Sequence, residues 1–337
     1  MIPMNAAPVK SSRRMAIWCC LLAIAGFTVC AGAGAGAAAD YPTKPIRMIV
    51  PFPPGATDSG ARVLAQALTT SLKQPVIVEN LGGANGSIGA EAVARSAPDG
   101  YTLLFTSMGT LVMNPHIYRN QRLNVERDLV PVAKVFDTPL VAEARPDRNI
   151  KSLDDLIARA RDAPGKLTFA SGGYGASSHM AAELFQYSTK VRMNHIPYKG
   201  NGPALMDVLG GQVDMMFDQV AASLPHIQAG ELLAIAVTSS TRLPSLPDVP
   251  TVGELGHPEL EMSSWASVTA PAGTPPEIVD ILSRAIVRAL GQPEVRKSME
   301  ASGAIAAPGD SRQLAVLLKS ETERWGKVIE AAGIKAE

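Results

Sequence analysis

The strongest constraint on this chain is the order of its hydrophobic patterns. Short β-branched runs alternate with amphipathic helical stretches, and the alternation occurs twice. Residues 46–50 read as a buried strand; a Pro/Gly loop follows, then a helix expected over about 58–72. Val63, Leu64, Ala67, Leu68 and Leu72 share one face of that helix. A second strand is expected at 76–79, a glycine-rich turn at 82–86, a helix through Ala90, Val93 and Ala94, and a third strand at 102–106. This β-α-β-α-β order calls for parallel strands joined by right-handed crossovers.

The second unit opens where Ser152, with Asp155 three residues on, reads as a capping box. Strands are expected at 167–170, 195–198, 213–217 and 232–238, with helices over about 178–187 and from Pro203 onward. Thr274-Pro275-Pro276-Glu277 reads as a helix start, followed by the apolar stripe Ile278, Ile281, Leu282, Ala285, Ile286, Ala289 and Leu290. A last helix is expected at 311–332, stopped by Gly333. The fold class is therefore α/β and two-lobed, with a ligand cleft between the lobes. Residues 40–142 together with 266–337 form one lobe and 143–265 the other, with hinge segments near 140–145 and 263–270.

The first 39 residues read as a signal peptide. Lys10, Arg13 and Arg14 precede an apolar run from Met15 to Cys30, and Ala37-Ala38-Ala39 fits a small-residue cleavage site. That run falls short of the ~20 apolar residues that span a bilayer. Export to the periplasm with cleavage near Ala39 is expected, by general secretion rather than the twin-arginine route. Cys19, Cys20 and Cys30 all lie in this segment, so the mature chain offers no disulfide, thiolate metal site or cysteine nucleophile. The 31 basic residues fall to 28 against 31 acidic ones, a net charge of −3. With no basic run, nothing marks a nucleic-acid or anionic-membrane partner.

The motifs of bond-breaking chemistry are absent: there is no G-x-S-x-G, no G-x-x-x-x-G-K-[ST] and no H-E-x-x-H. The five histidines (His116, His179, His195, His226 and His257) are not paired at metal-ligand spacing, so neither a metal nor a cofactor is expected. Gly82-Gly83-Ala84-Asn85-Gly86 lacks dinucleotide-loop spacing and reads as an ordinary turn. Ser178 and His179 are neighbours on a helix and point apart, which disfavours a hydrolase built on them.

What recurs instead is a strand ending in a loop of Gly, Ser and Thr that opens a helix. Residues 53–58, 107–110 and 171–178 follow this pattern. In an open parallel sheet, ligands gather at the carboxyl ends of strands. Helix N-termini there present unpaired N–H groups and about half a positive charge each, so a carboxylate can be held without Arg or Lys. Thr57, Asp58, Ser177 and Ser178 also suit plain capping. Asp218 follows a strand and suits either a turn or the orientation of a ligand hydroxyl or amine; Tyr198 ends another strand beside Lys199.

A series of segments resembles the extracytoplasmic receptors of tripartite tricarboxylate transporters, the Bug family. They are Tyr41-Pro42-Thr43-Lys44-Pro45-Ile46-Arg47, Val50-Pro51-Phe52-Pro53-Pro54-Gly55, Ala97-Pro98-Asp99-Gly100-Tyr101-Thr102-Leu103 and Ile196-Pro197-Tyr198-Lys199-Gly200. Gly210-Gly211-Gln212-Val213-Asp214, Leu246-Pro247-Asp248-Val249-Pro250-Thr251 and Ala270-Pro271-Ala272-Gly273-Thr274-Pro275 complete the series. The resemblance implies a periplasmic solute-binding receptor, not an enzyme. Such a receptor is monomeric, captures a small mono- or dicarboxylate and delivers it to the membrane subunits of a tripartite transporter. A sensor presenting its bound form to a membrane signalling protein is the alternative. Carried over, Phe52, Pro54, Ala56, Thr57, Asp58, Ser107 and Thr110 face the ligand from the first lobe. Ser171, Gly172, Ser177, His179, Tyr198 and Asp218 face it from the second. The chain departs from the family pattern in Gly55-Ala56-Thr57-Asp58, one residue shorter than usual, and in Ser59 and Gly60, where apolar residues are common.

Overall fold

Strands form where the β-branched runs predict them. In a computed structural model describing Met1 and residues 40–118, 121–301 and 303–334, β1 (Ile46–Val50), β2 (Val76–Asn80) and β3 (Thr102–Ser107) pair in parallel in the order β2-β1-β3. Helices α1 (Ala56–Leu72) and α2 (Ser87–Ala94) are the crossovers. The expected signal segment and its three cysteines lie outside the described residues.

After a π turn at Gly109–Met113 and two short helices, α3 (Asn114–Ile117) and α4 (Val125–Asp128), comes β4 (Leu129–Ala144), a strand of 16 residues. Helix α5 (Leu153–Asp162) then leads into a second parallel group. This contains β5 (Thr168–Ser171), α6 (Ser177–Thr189), β6 (Asn194–Pro197), α7 (Asn201–Leu209) and β7 (Met215–Gln219), ordered β6-β5-β7. Next are α8 (Val220–Gln228), β8 (Leu233–Val237), β9 (Ser263–Pro271), α9 (Pro276–Leu290), α10 (Pro293–Ala301), β10 (Ile305–Gly309) and α11 (Ser311–Ala332).

Two antiparallel strands join the parallel groups, giving the path β2-β1-β3-β9-β4-β7-β5-β6. From Leu129 to Pro139, β4 pairs with β9; from Leu140 to Ala144 it pairs with β7 and β8. One strand thus serves both halves of the sheet. Its burial on both faces explains the run of Leu140, Val141, Ala142 and Ala144, all fully buried. The largest buried side chains, Trp325, Phe105, Phe169 and Phe185, come from both halves and from the C-terminal helix. Each contributes about 1.5–3 kcal/mol by leaving water.

Helix ends match the sequence unevenly. Ser152 does cap α5, accepting from Asp155 N–H at 3.1 Å, and Asp310 with Gln313 forms a full capping box on α11. Thr274 does not cap α9: its hydroxyl donates to Pro271 O at 2.7 Å, and the helix begins at Pro276. Helix α7 begins at Asn201, two residues before Pro203.

Two glycines set close approaches near the strand ends. A Cβ at Gly60 would lie 2.4 Å from Cε1 of Phe136 on β4, so its small size lets α1 settle on that ring. Gly86 has φ +89°, and a Cβ there would lie 2.4 Å from Thr110 Oγ1 and 3.2 Å from Phe52 Cζ. The turn at 82–86 is a turn, as expected, and passes through the left-handed region at Ala84 (φ 47°), Asn85 (φ 48°) and Gly86. Gly86→Ala is expected to cost at least about 2 kcal/mol, from left-handed backbone and overlap together. Urea denaturation measures this, and a loss below about 0.5 kcal/mol would contradict the packing described.

Candidate functional site

The carboxyl ends of the parallel strands carry the loops singled out in the sequence. The loop after β1 leads into α1, whose N-cap position is Gly55, a residue with no side chain to cap the first turn. Its conformation is held from beneath. Asp58, 5 % exposed, receives Arg62 Nε at 2.8 Å and Asn80 Nδ2 at 2.8 Å, and Asn80 Nδ2 also donates to Phe52 O at 2.9 Å. Burial would raise the Asp58 pKa, but hydrogen bonds from Arg62 and Asn80 with the guanidinium charge hold it below the usual carboxylate range. Asp58 thus anchors the loop. Thr57 is half-buried beside it, Phe52 is half-buried and Pro54 exposed. Ala56 is the first residue of α1.

Ser107 ends β3, half-buried. Thr110 is fully buried; its hydroxyl receives Thr106 Oγ1 at 2.9 Å and donates to Asn85 O at 3.1 Å, which ties the π turn to the strained turn.

In the second half, the loop between β5 and α6 is knitted by side chains. Gly172 N–H donates to Ser178 Oγ at 3.0 Å, Ser178 Oγ donates to Asn201 Oδ1 at 2.9 Å, and Asn201 Nδ2 donates to Asp218 Oδ1 at 2.5 Å. Asp218 is 1 % exposed, and Ser223 Oγ lies 3.5 Å from its Oδ2 and 2.8 Å from Glu143 Oε1. Burial pushes the Asp218 pKa up to about 7 against the hydrogen bonds from Gln219 N–H, Asn201 and Ser223. Burial, and then the Asp218 charge, raise that of Glu143 well above the carboxylate range.

His179 is buried: its Nδ1 accepts from Gly175 N–H at 3.2 Å, and its Nε2 lies 3.5 Å from Glu183. Ser178 and His179 therefore engage separate partners. The Ser–His contact present is Ser171 Oγ to His195 Nε2 at 2.6 Å, with Ser171 fully buried and also receiving Gly173 N–H at 3.1 Å. Burial, aided by His179, lowers the His195 pKa to about 3, so that ring stays neutral. Tyr198 turns to α7, donating to Asp207 at 2.6 Å, and burial raises its pKa to about 12. Ser177 is half-buried at the start of α6, a helix whose N-cap, Ala176, provides no side-chain cap.

The structure uses the expected residues in different ways. Asp58, Thr110, Ser171, His179, Tyr198 and Asp218 use their side chains on internal partners and support the loops. Thr57 and Ser107 line a cavity, which they share with residues not foreseen in the sequence: Phe136 and Thr138 of β4, Gln219 at the end of β7, Ser264, Trp265 and Ala266 of β9, and Ala304. Gln219 is also the N-cap position of α8 and gives that helix no side-chain cap. Thr57 in the first turn of α1 and Gln219 at the N-cap position of α8, one from each half of the sheet, therefore line the same space. The cavity is about 10 Å³, room for about one water. Nearby the loops of the two halves meet, since a Cβ at Gly109 would lie 3.7 Å from Gly175 O.

Parallel groups at either end of a sheet, with strand-end loops and helix N-termini facing an inner cavity, define a two-lobed periplasmic-binding-protein fold. The family model described as "Tripartite tricarboxylate transporter family receptor" matches residues 60–334, and the chain belongs to that family. It is similar to protein BugT of Bordetella pertussis (strain Tohama I), 45 % identical over 322 residues, covering 94 % of this chain and 98 % of BugT. Among solved structures it is similar to the periplasmic binding protein BugD, at 35 % identity and TM-score 0.75, covering 88 % of this chain and 100 % of BugD. It is also similar to a protein of R. palustris solved with adipate, at 34 % identity and TM-score 0.78, covering 88 % and 100 %.

The buried acids generate a pH prediction. A carboxyl whose folded pKa is raised stabilises the fold below its unfolded pKa, near 4, and loses that contribution as pH rises through about 7. Asp218→Asn is therefore expected to gain on the wild type by about 1–3 kcal/mol between about pH 5 and pH 8. Denaturation at both pH values checks this, and a constant difference would contradict the burial of an ionising Asp218.

Proposed function

We propose that this chain is a periplasmic receptor that captures a small mono- or dicarboxylate and delivers it to a tripartite-type membrane transporter, without converting it. The observation that carries this reading is the cavity lined by Thr57 in the first turn of α1, by Gln219 at the N-cap position of α8 and by the hydroxyl-bearing Ser107, Thr138 and Ser264, neither helix having a side-chain cap. Amide dipoles and hydroxyls converging on one space favour an anion without Lys or Arg. The similar R. palustris protein solved with adipate supports a carboxylate as that anion.

In this reading residues 40–142 with 266–337 form the first lobe and 143–265 the second, and the change of partner along β4 after Pro139 supports a hinge there. Phe52, Pro54, Ala56, Thr57 and Ser107 approach the ligand from one side; Gly172, Ser177 and Gln219 approach it from the other, with Ser171 bracing their loop through His195. Asp58, Thr110, His179, Tyr198 and Asp218 hold these loops in place. A cavity of about 10 Å³ is too small for a dicarboxylate, so the lobes separate to admit one. The basic, apolar and Ala-rich stretches of residues 1–39 support export and cleavage near Ala39.

Thermal denaturation of the dialysed mature protein against a panel of carboxylates, adipate included, tests this. A ligand at 100 times its dissociation constant is expected to add ~2.7 kcal/mol. Ser107→Ala is expected to weaken that binding by about 0.5–1.5 kcal/mol. A panel in which no carboxylate stabilises the protein would refute the reading.

A further inference from the structure

We propose that Gly303 is a positioning residue for ligand capture. Its missing side chain lets the turn after α10, in the first lobe, seat against the first turn of α8, in the second, and that contact sets how long a captured carboxylate is held. The proposal rests on the receptor reading above and adds a control on its release step.

Helix α10 stops in a left-handed glycine cap. Gly303 has φ +79°, its N–H donates to Glu300 O at 2.9 Å, and Ala304 N–H donates to Met299 O at 3.0 Å. The space beside this cap is already filled: a Cβ at Gly303 would overlap Cβ of Ala221 and lie 3.4 Å from its Cα. Ala221 is the second residue of α8. Ala304, next along the turn, lines the cavity together with Gln219, so the contact borders the cleft. In the lobe assignment above, Gly303 and Ala221 belong to different lobes.

A second meeting of the lobes is looser. A Cβ at Gly175, in the loop between β5 and α6, would lie 3.1 Å from Ile117 Cδ1 and 3.4 Å from Asn85 Nδ2. Those are the ends of side chains, which can give by a few tenths of an ångström. The obstacle at Gly303 is a methyl fixed to a helix backbone. An alanine there must lift the turn from α8, because close-packed backbones do not absorb an extra methyl.

The same cap occurs at the end of α11 with no neighbour. Gly333 has φ +65°, its N–H donates to Glu330 O at 3.1 Å, Ile334 N–H donates to Ile329 O at 3.1 Å, and a Cβ at Gly333 would meet nothing within 4 Å. Gly333→Ala therefore carries the backbone strain of Gly303→Ala and none of its overlap. The two variants separate a helix cap from a contact between lobes.

A receptor whose closed form is disfavoured loses affinity in proportion to the closed population, and the loss falls chiefly on dissociation. Stopped-flow kinetics of the mature protein with propionate, succinate, glutarate and adipate test this. For each acid that binds, Gly303→Ala is expected to raise the dissociation rate at least about tenfold and to leave association within about twofold. Gly333→Ala is expected to keep both rates of the wild type. Placing Gly303→Ala together with Ala221→Gly removes the overlap from the other side and is expected to return dissociation to that of Ala221→Gly alone. Should Gly303→Ala fail to fold, Ala221→Val presses on the same contact without a left-handed residue, and the same acceleration is expected of it. Wild-type dissociation in Gly303→Ala, equal loosening in Gly333→Ala, or no recovery in the double variant would each overturn the proposal and leave the receptor reading standing. Silence of the wild type toward all four acids would refute that reading, and this inference with it.

Discussion

Everything in this molecule depends on one strand having two sets of partners. Over its first eleven residues β4 hydrogen-bonds to β9; over its last five it bonds to β7 and β8. A sheet built this way holds two parallel groups at a set spacing and turns the carboxyl ends of their strands toward a shared interior. Helices start at those strand ends because the loops there are rich in small residues. The convergence of α1 and α8 on one cavity is thus a product of topology. Thr57 of α1 and Gln219 at the N-cap position of α8 meet there, so the positive ends of two helices lie near one space.

The second constraint is that loops built from Gly and Ser have little stiffness of their own. The structure supplies it from below. In the first half Asp58, Arg62 and Asn80 brace the loop after β1, and Thr110 braces the strained turn through Asn85 O. In the second half a chain of hydrogen bonds runs from Glu143 through Ser223, Asp218, Asn201 and Ser178 to Gly172. Buried polar networks of this kind rigidify when fully satisfied. Here Glu143 Oε2 has no partner, and the raised pKa values of both acids are what such a half-satisfied pair should show.

These supports also explain what was and was not legible in the sequence. The strands β1, β3 and β5 and the helices α1, α6 and α11 follow from β-branched runs and apolar periodicity, which are local signals. Strand β4 does not, because Pro131 and Pro139 interrupt its pattern and proline argues against a central strand. Its antiparallel pairing with β9 joins residues more than a hundred positions apart, so Phe136, Thr138, Ser264 and Trp265 could not be placed in the cleft by reading along the chain. Helix α8 carries Pro225 in its interior and hid Gln219 for the same reason. Asp218 was located correctly at the end of a strand. The direction of its side chain was not legible, since adjacent residues at a strand end face opposite sides and nothing local tells which one lines the cavity.

The central claim is that a small anion is held by main-chain amides opening α1 and α8. Backbone ¹⁵N–¹H spectra of the mature protein, recorded while titrating the tightest carboxylate, test it most directly. Saturable shifts at the amides of Thr57 and Asp58 in one lobe, and of Val220 and Ala221 in the other, are the predicted result. Shifts confined to one lobe, or centred on surface cations such as Arg145 and Arg148, would contradict it.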